Sequence, residues 1–141
     1  MDNKKIIDAL NGMLSQEHAC AIRYATHAAV ISGPYAETVK ARLKEISGDE
    51  VTHAEKLRDR ITALGGEPTL QVKAGDLIPA FDLDRILKVN IGEELAAIKS
   101  YTEILKNIPA DNAILFLTIQ EIIRDEQEHL EELKNLEQKN A

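Results

Sequence analysis

Apolar residues recur at alternating steps of three and four along most of the chain, and strand-like alternation is absent. The first stripe reads Leu10, Leu14, position 17, Ala21, Tyr24, Ala28 and Ile31. The second reads Val39, Leu43, Ile46, positions 50 and 53, Leu57 and Ile61. The third reads Leu87, Ile91, position 94, Ile98, Tyr101, Leu105 and Ile108. The fourth reads Leu115, Ile119, Ile122, positions 126 and 129, Leu133 and Leu136. Breakers part these stretches: Gly33-Pro34, then Gly65-Gly66-Glu67-Pro68, then Gly75 and Pro79, then Pro109. The pattern predicts helices over roughly 3–32, 36–64, 82–107 and 110–138. Asp82 and Asp84 are candidate caps of the third, and Pro109 is expected in the first turn of the fourth.

Four amphipathic helices bury their stripes against one another, so the fold class is all-α, an antiparallel four-helix bundle forming a single domain over 1–141. Segment 65–81 is long enough to run the length of a helix. It makes a long crossover between helices two and three, which then lie parallel, while helices one–two and three–four form hairpins.

Composition narrows the function. The 141 residues carry 17 basic and 24 acidic side chains, a formal net charge of −7, with no Lys/Arg cluster. That balance argues against nucleic acid and anionic membranes as partners and suits metal ions. Apolar residues make up 44% but aromatics only 4%, so Leu, Ile, Val and Ala must fill the core. The lone Cys20 excludes an internal disulfide and an all-thiolate zinc site, and points to a reducing, cytoplasmic compartment. Asp8 and Asn11 interrupt the N-terminal apolar run, so no signal peptide is expected. No run approaches the ~18 apolar residues of a membrane span.

The skipped stripe positions carry the chemistry: Glu17, Glu50, His53, Glu94, Glu126 and His129. Two fall in the same local pattern, Glu50-Val51-Thr52-His53 and Glu126-Gln127-Glu128-His129, where residues three apart share a helix face and can reach one metal. The halves of the chain repeat. Glu50 and His53 follow Glu17 by 33 and 36 residues; Glu126 and His129 follow Glu94 by 32 and 35. Tyr24 and Tyr101 each stand seven residues after the first glutamate of their half.

Each uncompensated buried charge costs several kcal/mol, against a whole-domain stability of ~5–15 kcal/mol. Four central carboxylates therefore need cations or protons. Two divalent metals cancel four carboxylates with neutral histidines; the alternative is a protonated or solvated polar core. A set of carboxylates and imidazoles without thiolate is wrong for structural zinc and softer than a Ca²⁺ or Mg²⁺ site. It suits iron or manganese with open positions for an oxidant. Tyr24 and Tyr101 face this site and are expected to donate hydrogen bonds to ligand carboxylates.

At these residues, and in the Leu64-Gly65-Gly66-Glu67-Pro68 turn, the chain resembles the ferritin-like di-iron carboxylate superfamily, most of all the bacterioferritins, from about Leu10 to Leu136. The resemblance implies two iron ions per subunit, with manganese or zinc as substitutes. Glu17 and Glu94 would each bind one ion terminally, Glu50 and Glu126 would bridge, and His53 and His129 would each bind one. It implies a ferroxidase oxidising Fe(II) to Fe(III) with O2 or H2O2, for iron storage or detoxification, in a homo-oligomer of at least two chains. Ile22, Val30 and Ile123 leave apolar surface beyond one stripe of each helix, which also predicts at least a homodimer.

Some positions depart from that pattern. Val51 stands where bacterioferritins carry their haem-binding Met, so haem is not expected. Ala141 stands about three turns past His129, so the family's short fifth helix is not expected. Rubrerythrin, a peroxidase relative served by an external electron donor, has an additional glutamate where this chain has Ala97, yet its paired tyrosines are similar to Tyr24 and Tyr101. A rubrerythrin-like peroxidase and a non-catalytic helical dimer are the alternative readings. His18 and His27 are expected at the surface or a subunit interface, and Cys20 in the core. Glu45 with Asp49, and Asp125 with Glu128, Glu131 and Glu132, read as solvated acidic faces, the first pair with an ion-access path as its alternative. Glu93, one position from Glu94 but about 100° round the helix, is expected to face solvent or an interface.

Overall fold

The structure, a computed structural model, describes residues 2–140, with side chains described for 2–138. Four helices follow one another: α1 (Asn3–Val30), α2 (Ala36–Ala63), α3 (Leu83–Lys106) and α4 (Ala113–Asn140). Among the described residues there is no strand, and no helix is long and apolar enough to cross a membrane. The 65–81 connection carries a single 3₁₀ turn, Ala74–Asp76.

Local chemistry sets the helix ends. Asp2 accepts from the Lys5 N–H and Asp82 from the Arg85 N–H, each capping the helix that follows. Asp84 lies inside the first turn of α3 rather than at its cap. α2 stops in a glycine turn. The Gly66 N–H bonds Ile61 O at 2.9 Å and the Gly65 N–H bonds Thr62 O at 3.0 Å, with Gly65 at φ +86°. A Cβ on Gly66 would stand 2.7 Å from Ile7 Cγ2, so this turn also needs glycine for the approach of α1. The fourth helix starts later than the breaker pattern suggested. Pro109 sits in a preceding turn, its carbonyl accepting from the Asn112 N–H, and Asn112 Oδ1 accepts from the Leu115 N–H at 3.2 Å. Asn112 supplies the side-chain acceptor that proline lacks, and so takes the cap.

α1 packs on α2 and α3 on α4 as two hairpins, which meet through α1 with α3 and α2 with α4. The crossover is strung along α1 by polar side chains. Asn11 Nδ2 donates to Glu67 O, and Asn11 Oδ1 accepts from the Thr69 N–H. His18 Nδ1 bonds Gln71 O, Arg23 Nη1 donates to Asp76 O, and His27 Nε2 bonds Ile78 O.

The apolar core is divided. One cluster gathers Leu10, Leu14, Leu57, Ile61, Leu115, Ile119 and Ile122; the other gathers Ala28, Val39, Leu43, Ile46, Ile86, Leu87 and Leu133. Between them lies a polar waist.

Candidate metal centre

All four helices feed the waist. Glu17 comes from α1, Glu50 and His53 from α2, Glu94 from α3, and Glu126 and His129 from α4; all six are at most 2% exposed. They fall into two groups, Glu17–Glu50–His53–Glu126 and Glu50–Glu94–Glu126–His129, each offering one ligand atom per residue with all atoms within 4.8 Å of one another. Glu50 and Glu126 belong to both. His53 Nδ1 lies 3.2 Å from Glu50 Oε1, 3.2 Å from Glu126 Oε1 and 3.5 Å from Glu17 Oε2. His129 Nδ1 lies 3.4 Å from Glu126 Oε1 and 3.6 Å from both Glu50 Oε1 and Glu94 Oε1.

These atoms do not satisfy one another. Glu17 Oε2, both oxygens of Glu50 and Glu126, Glu94 Oε2, and Nδ1 of His53 and His129 are buried without a hydrogen-bond partner among the described residues. An orphaned buried polar atom is costly. With metal–ligand bonds of about 2.1 Å, neighbouring ligand atoms sit roughly 3.0–3.4 Å apart, close to the spacings seen here. The donor set fits a pair of divalent ions.

The outer atoms of the same side chains are held, and the holding crosses between hairpins. Tyr24 Oη donates to Glu94 Oε1 at 2.7 Å, and Tyr101 Oη donates to Glu17 Oε1 at 2.8 Å. His53 Nε2 bonds Asp125 Oδ2 at 2.9 Å, and His129 Nε2 bonds Asp49 Oδ2 at 2.8 Å. An Nε2–H donating to carboxylate leaves Nδ1 as the lone-pair face turned into the cluster. This corrects the solvated reading of Asp49 and Asp125: they precede Glu50 and Glu126 at the helix edge and orient the opposite histidine. Glu45, Glu128 and Glu131 are exposed, and Arg42 links Glu45 with Glu132. Glu94 is buried and Glu93 half-exposed.

Electrostatics record the crowding. Burial, then the Glu126 charge, pushes the Glu17 carboxyl up, and burial followed by the Glu17 and Glu126 charges pushes Glu50 well up. Burial raises Glu94 to about 8. Burial acts on Glu126 in the same direction, but the two imidazoles outweigh it and hold Glu126 low. Burial disfavours His129 as a cation, yet Glu126 and Glu94 lift it to about 10; His53 is raised likewise by Glu126, Glu17 and Glu50. The cluster thus draws protons where it lacks other positive charge. Burial, then the facing carboxylates, raises both tyrosines well above their usual range, so both remain protonated donors.

A second buried polar cluster lies farther along α1, and sequence reasoning missed it. Arg23 Nε donates to Asn90 Oδ1 at 2.9 Å and Arg23 Nη2 to Cys20 Sγ at 3.3 Å. Asn90 Nδ2 donates to His27 Nδ1 at 2.9 Å and to Ile86 O at 2.8 Å. His27 is 1% exposed, against its expected surface position, because the crossover covers that side of α1. His18 is half-buried, held by Gln71 O and the Arg58 guanidinium. Cys20 is buried, as expected, and burial keeps its thiol well up, away from thiolate. Asn90 interrupts an apolar stripe one turn after Ile86 and Leu87, the signal that could have found it.

A four-helix bundle whose waist gathers carboxylates and imidazoles in Glu-x-x-His pairs defines the ferritin-like class of carboxylate-bridged metal proteins. The ferritin-like domain family matches residues 7–140. A bacterioferritin of Desulfovibrio desulfuricans is 34% identical over 134 residues, covering 94% of this chain and 74% of that one. A ferritin-like, diiron-carboxylate protein from Bacillus anthracis superposes with a TM-score of 0.88 at 31% identity, over 97% of this chain and 99% of that one. A dodecameric thioferritin, the bacterioferritin-related protein of Bacteroides fragilis, superposes with a TM-score of 0.87 at 28% identity, over 96% and 85%. The chain belongs to the ferritin-like family.

Proposed function

We propose that this protein is a ferroxidase that binds two Fe(II) ions as substrate at the waist and passes their electrons to O2 or H2O2. The observation that carries this reading is the set of buried, unpartnered ligand atoms arranged in two groups with a shared pair of glutamates. Glu17 and Glu94 act as terminal ligands, Glu50 and Glu126 bridge, and His53 and His129 each present Nδ1 to one ion. Four carboxylates and two neutral imidazoles balance two divalent ions.

The bound iron supplies the one-electron chemistry. With dioxygen the balance is two Fe(II), one O2 and two protons giving two Fe(III) and one H2O2. The protein's part is to hold both electron donors side by side, so that both electrons leave together. Tyr24 and Tyr101 fix the terminal carboxylates by donating to one oxygen of each, leaving the other free for metal. Asp49 and Asp125 hold the imidazoles in the metal-facing orientation and offset the positive charge gained on oxidation. Manganese or zinc would occupy the same donors. Haem has no place in this reading, since Val51 offers no ligating atom. Exposed Ile22, Leu95, Ile114, Leu117 and Phe81 favour a homo-oligomer, and the assembly serves iron storage or detoxification.

The test is an anaerobic Fe(II) titration followed by oxidant, with the mass of the assembly measured alongside. Saturation at two ions per chain, and prompt oxidation without added reductant, is expected. Turnover of H2O2 only with an electron donor would move the function to a peroxidase, and failure to bind iron would sink the metal reading.

A further inference from the structure

The ligands of the metal centre repeat between the two halves of the chain, but the residues behind them do not. The spacing that carries Glu17 onto Glu94 and Tyr24 onto Tyr101 also carries Cys20 onto Ala97, Arg23 onto Ser100 and His27 onto Ile104, and carries Met13 onto Asn90. Behind Tyr101, which holds Glu17, the residues Met13, Ala97 and Ile104 are buried in one apolar cluster with the ring. Behind Tyr24, which holds Glu94, the same places are taken by Asn90, Cys20 and His27 around a guanidinium.

Arg23 is 2% exposed, and its Cζ stands 5.7 Å from the centroid of the Tyr24 ring. Its hydrogen bonds go to Asn90 Oδ1, Asp76 O and the Cys20 thiol, all uncharged. Glu93 bears on it from the half-exposed side of α3, where water screens the attraction. A guanidinium does not give up its proton. The Tyr24 end of the waist therefore holds a fixed positive charge one ring away from Glu94, in surroundings where charges reach farther than in water. That charge repels a cation held by Glu94, and it draws electron density out of the carboxylate along the Tyr24 hydrogen bond. Ser100, at the matching position, leaves the Tyr101 end without it.

We propose that Arg23 makes the two metal positions unequal: the first divalent ion settles at Glu17 and His53, and the second, at Glu94 and His129, is held more weakly. This rests on the ferroxidase reading and gives it an order of filling. Arg23 hydrogen-bonds to none of the six ligands and acts through Tyr24, as a positioning residue. Because paired oxidation needs both ions, the weaker position sets the Fe(II) level at which the centre becomes active.

Crystals of the full chain given one equivalent of Co(II) should show its anomalous signal chiefly at the Glu17–His53 position. Calorimetric titration with Co(II) should resolve two binding steps. In Arg23→Gln the second step should tighten on the order of tenfold relative to the first, and the crystal signal should divide between the positions. Arg23→Lys, which keeps the charge, should retain the wild-type gap. Asn90→Leu breaks the same joint but leaves the charge, so it should retain the gap too, in a less stable fold. A gap that survives Arg23→Gln, that is lost in Arg23→Lys as well, or that closes equally in Asn90→Leu would overturn the proposal. Equal occupancy, or first occupancy at Glu94–His129, in wild-type crystals would also overturn it, and that measurement stands even if Arg23→Gln fails to fold. All of these results leave the ferroxidase reading intact. A wild-type chain that takes up no metal pair would remove that reading, and the order of filling with it.

Discussion

Two buried polar clusters share helix α1, and they differ in one respect. Around Arg23, Asn90 and His27, the amide and imidazole groups are matched: Asn90 accepts from Arg23 and donates to Ile86 O and His27, while His27 also reaches Ile78 O. Around Glu50 and Glu126 the inward atoms have no partner. Burial and polarity are alike in both places, so neither marks a binding site by itself. Completed hydrogen bonding marks a structural joint, here fastening the crossover to α1 and α3. Incomplete hydrogen bonding marks a place held ready for something that supplies positive charge.

The largest way to break this contrast is at the incomplete cluster. Glu94→Ala should lose one of the two bound ions and most Fe(II) oxidation, while Glu93→Ala should keep both ions and near-native rates, read by metal stoichiometry and stopped-flow oxidation. Reversed losses would mean that the α3 register assigned to the site is wrong. Equal, mild losses would remove α3 from the ligand set.

A smaller effect is expected at the completed cluster. Asn90→Leu strips Arg23 of an acceptor and His27 of a donor, leaving buried polar groups unmatched at a cost of roughly 1–3 kcal/mol each. Denaturant unfolding should report that loss with both metal ions still bound. A variant as stable as wild type would mean the joint holds nothing. The smallest effect concerns pH. Burial lowers the His27 pKa below its ordinary 6.5, so the folded state favours the neutral ring whose Nδ1 accepts from Asn90. The unfolded chain then binds more protons, and the stability from neutral His27 is complete above pH 6.5 and is lost as pH falls through the lower folded value. His27→Gln should flatten that part of the stability profile below pH 6.5 relative to wild type. Identical slopes would remove His27 as its source.

The bundle was legible because its apolar stripes are long and keep helical period, and the waist was legible because Glu17, Glu50, His53, Glu94, Glu126 and His129 interrupt those stripes. What escaped depends on partners distant in sequence. Asp49 and Asp125 look like ordinary helix-edge acids, and their partners stand 80 and 72 residues away, beyond any local spacing rule. His27 lies outside the bundle stripe, about 280° round α1 from Glu17. The crossover, whose path has no periodicity, is what buries it. Pro109 was a good breaker but a poor guide to the start of α4, since Asn112 offered the better cap.

The crossed contacts have a consequence for how the molecule is assembled. Each four-residue group takes three members from one hairpin and a single glutamate from the other. His53, His129, Tyr24 and Tyr101 are likewise each bonded to a carboxylate on the opposite hairpin. Neither hairpin therefore owns a finished half of the chemistry, and a hairpin that has folded without docking has nothing complete to offer an ion. Exchange the two hairpins and every one of these bonds maps onto its counterpart. A single such hairpin, paired with its own twin by a two-fold exchange, would regenerate the whole set.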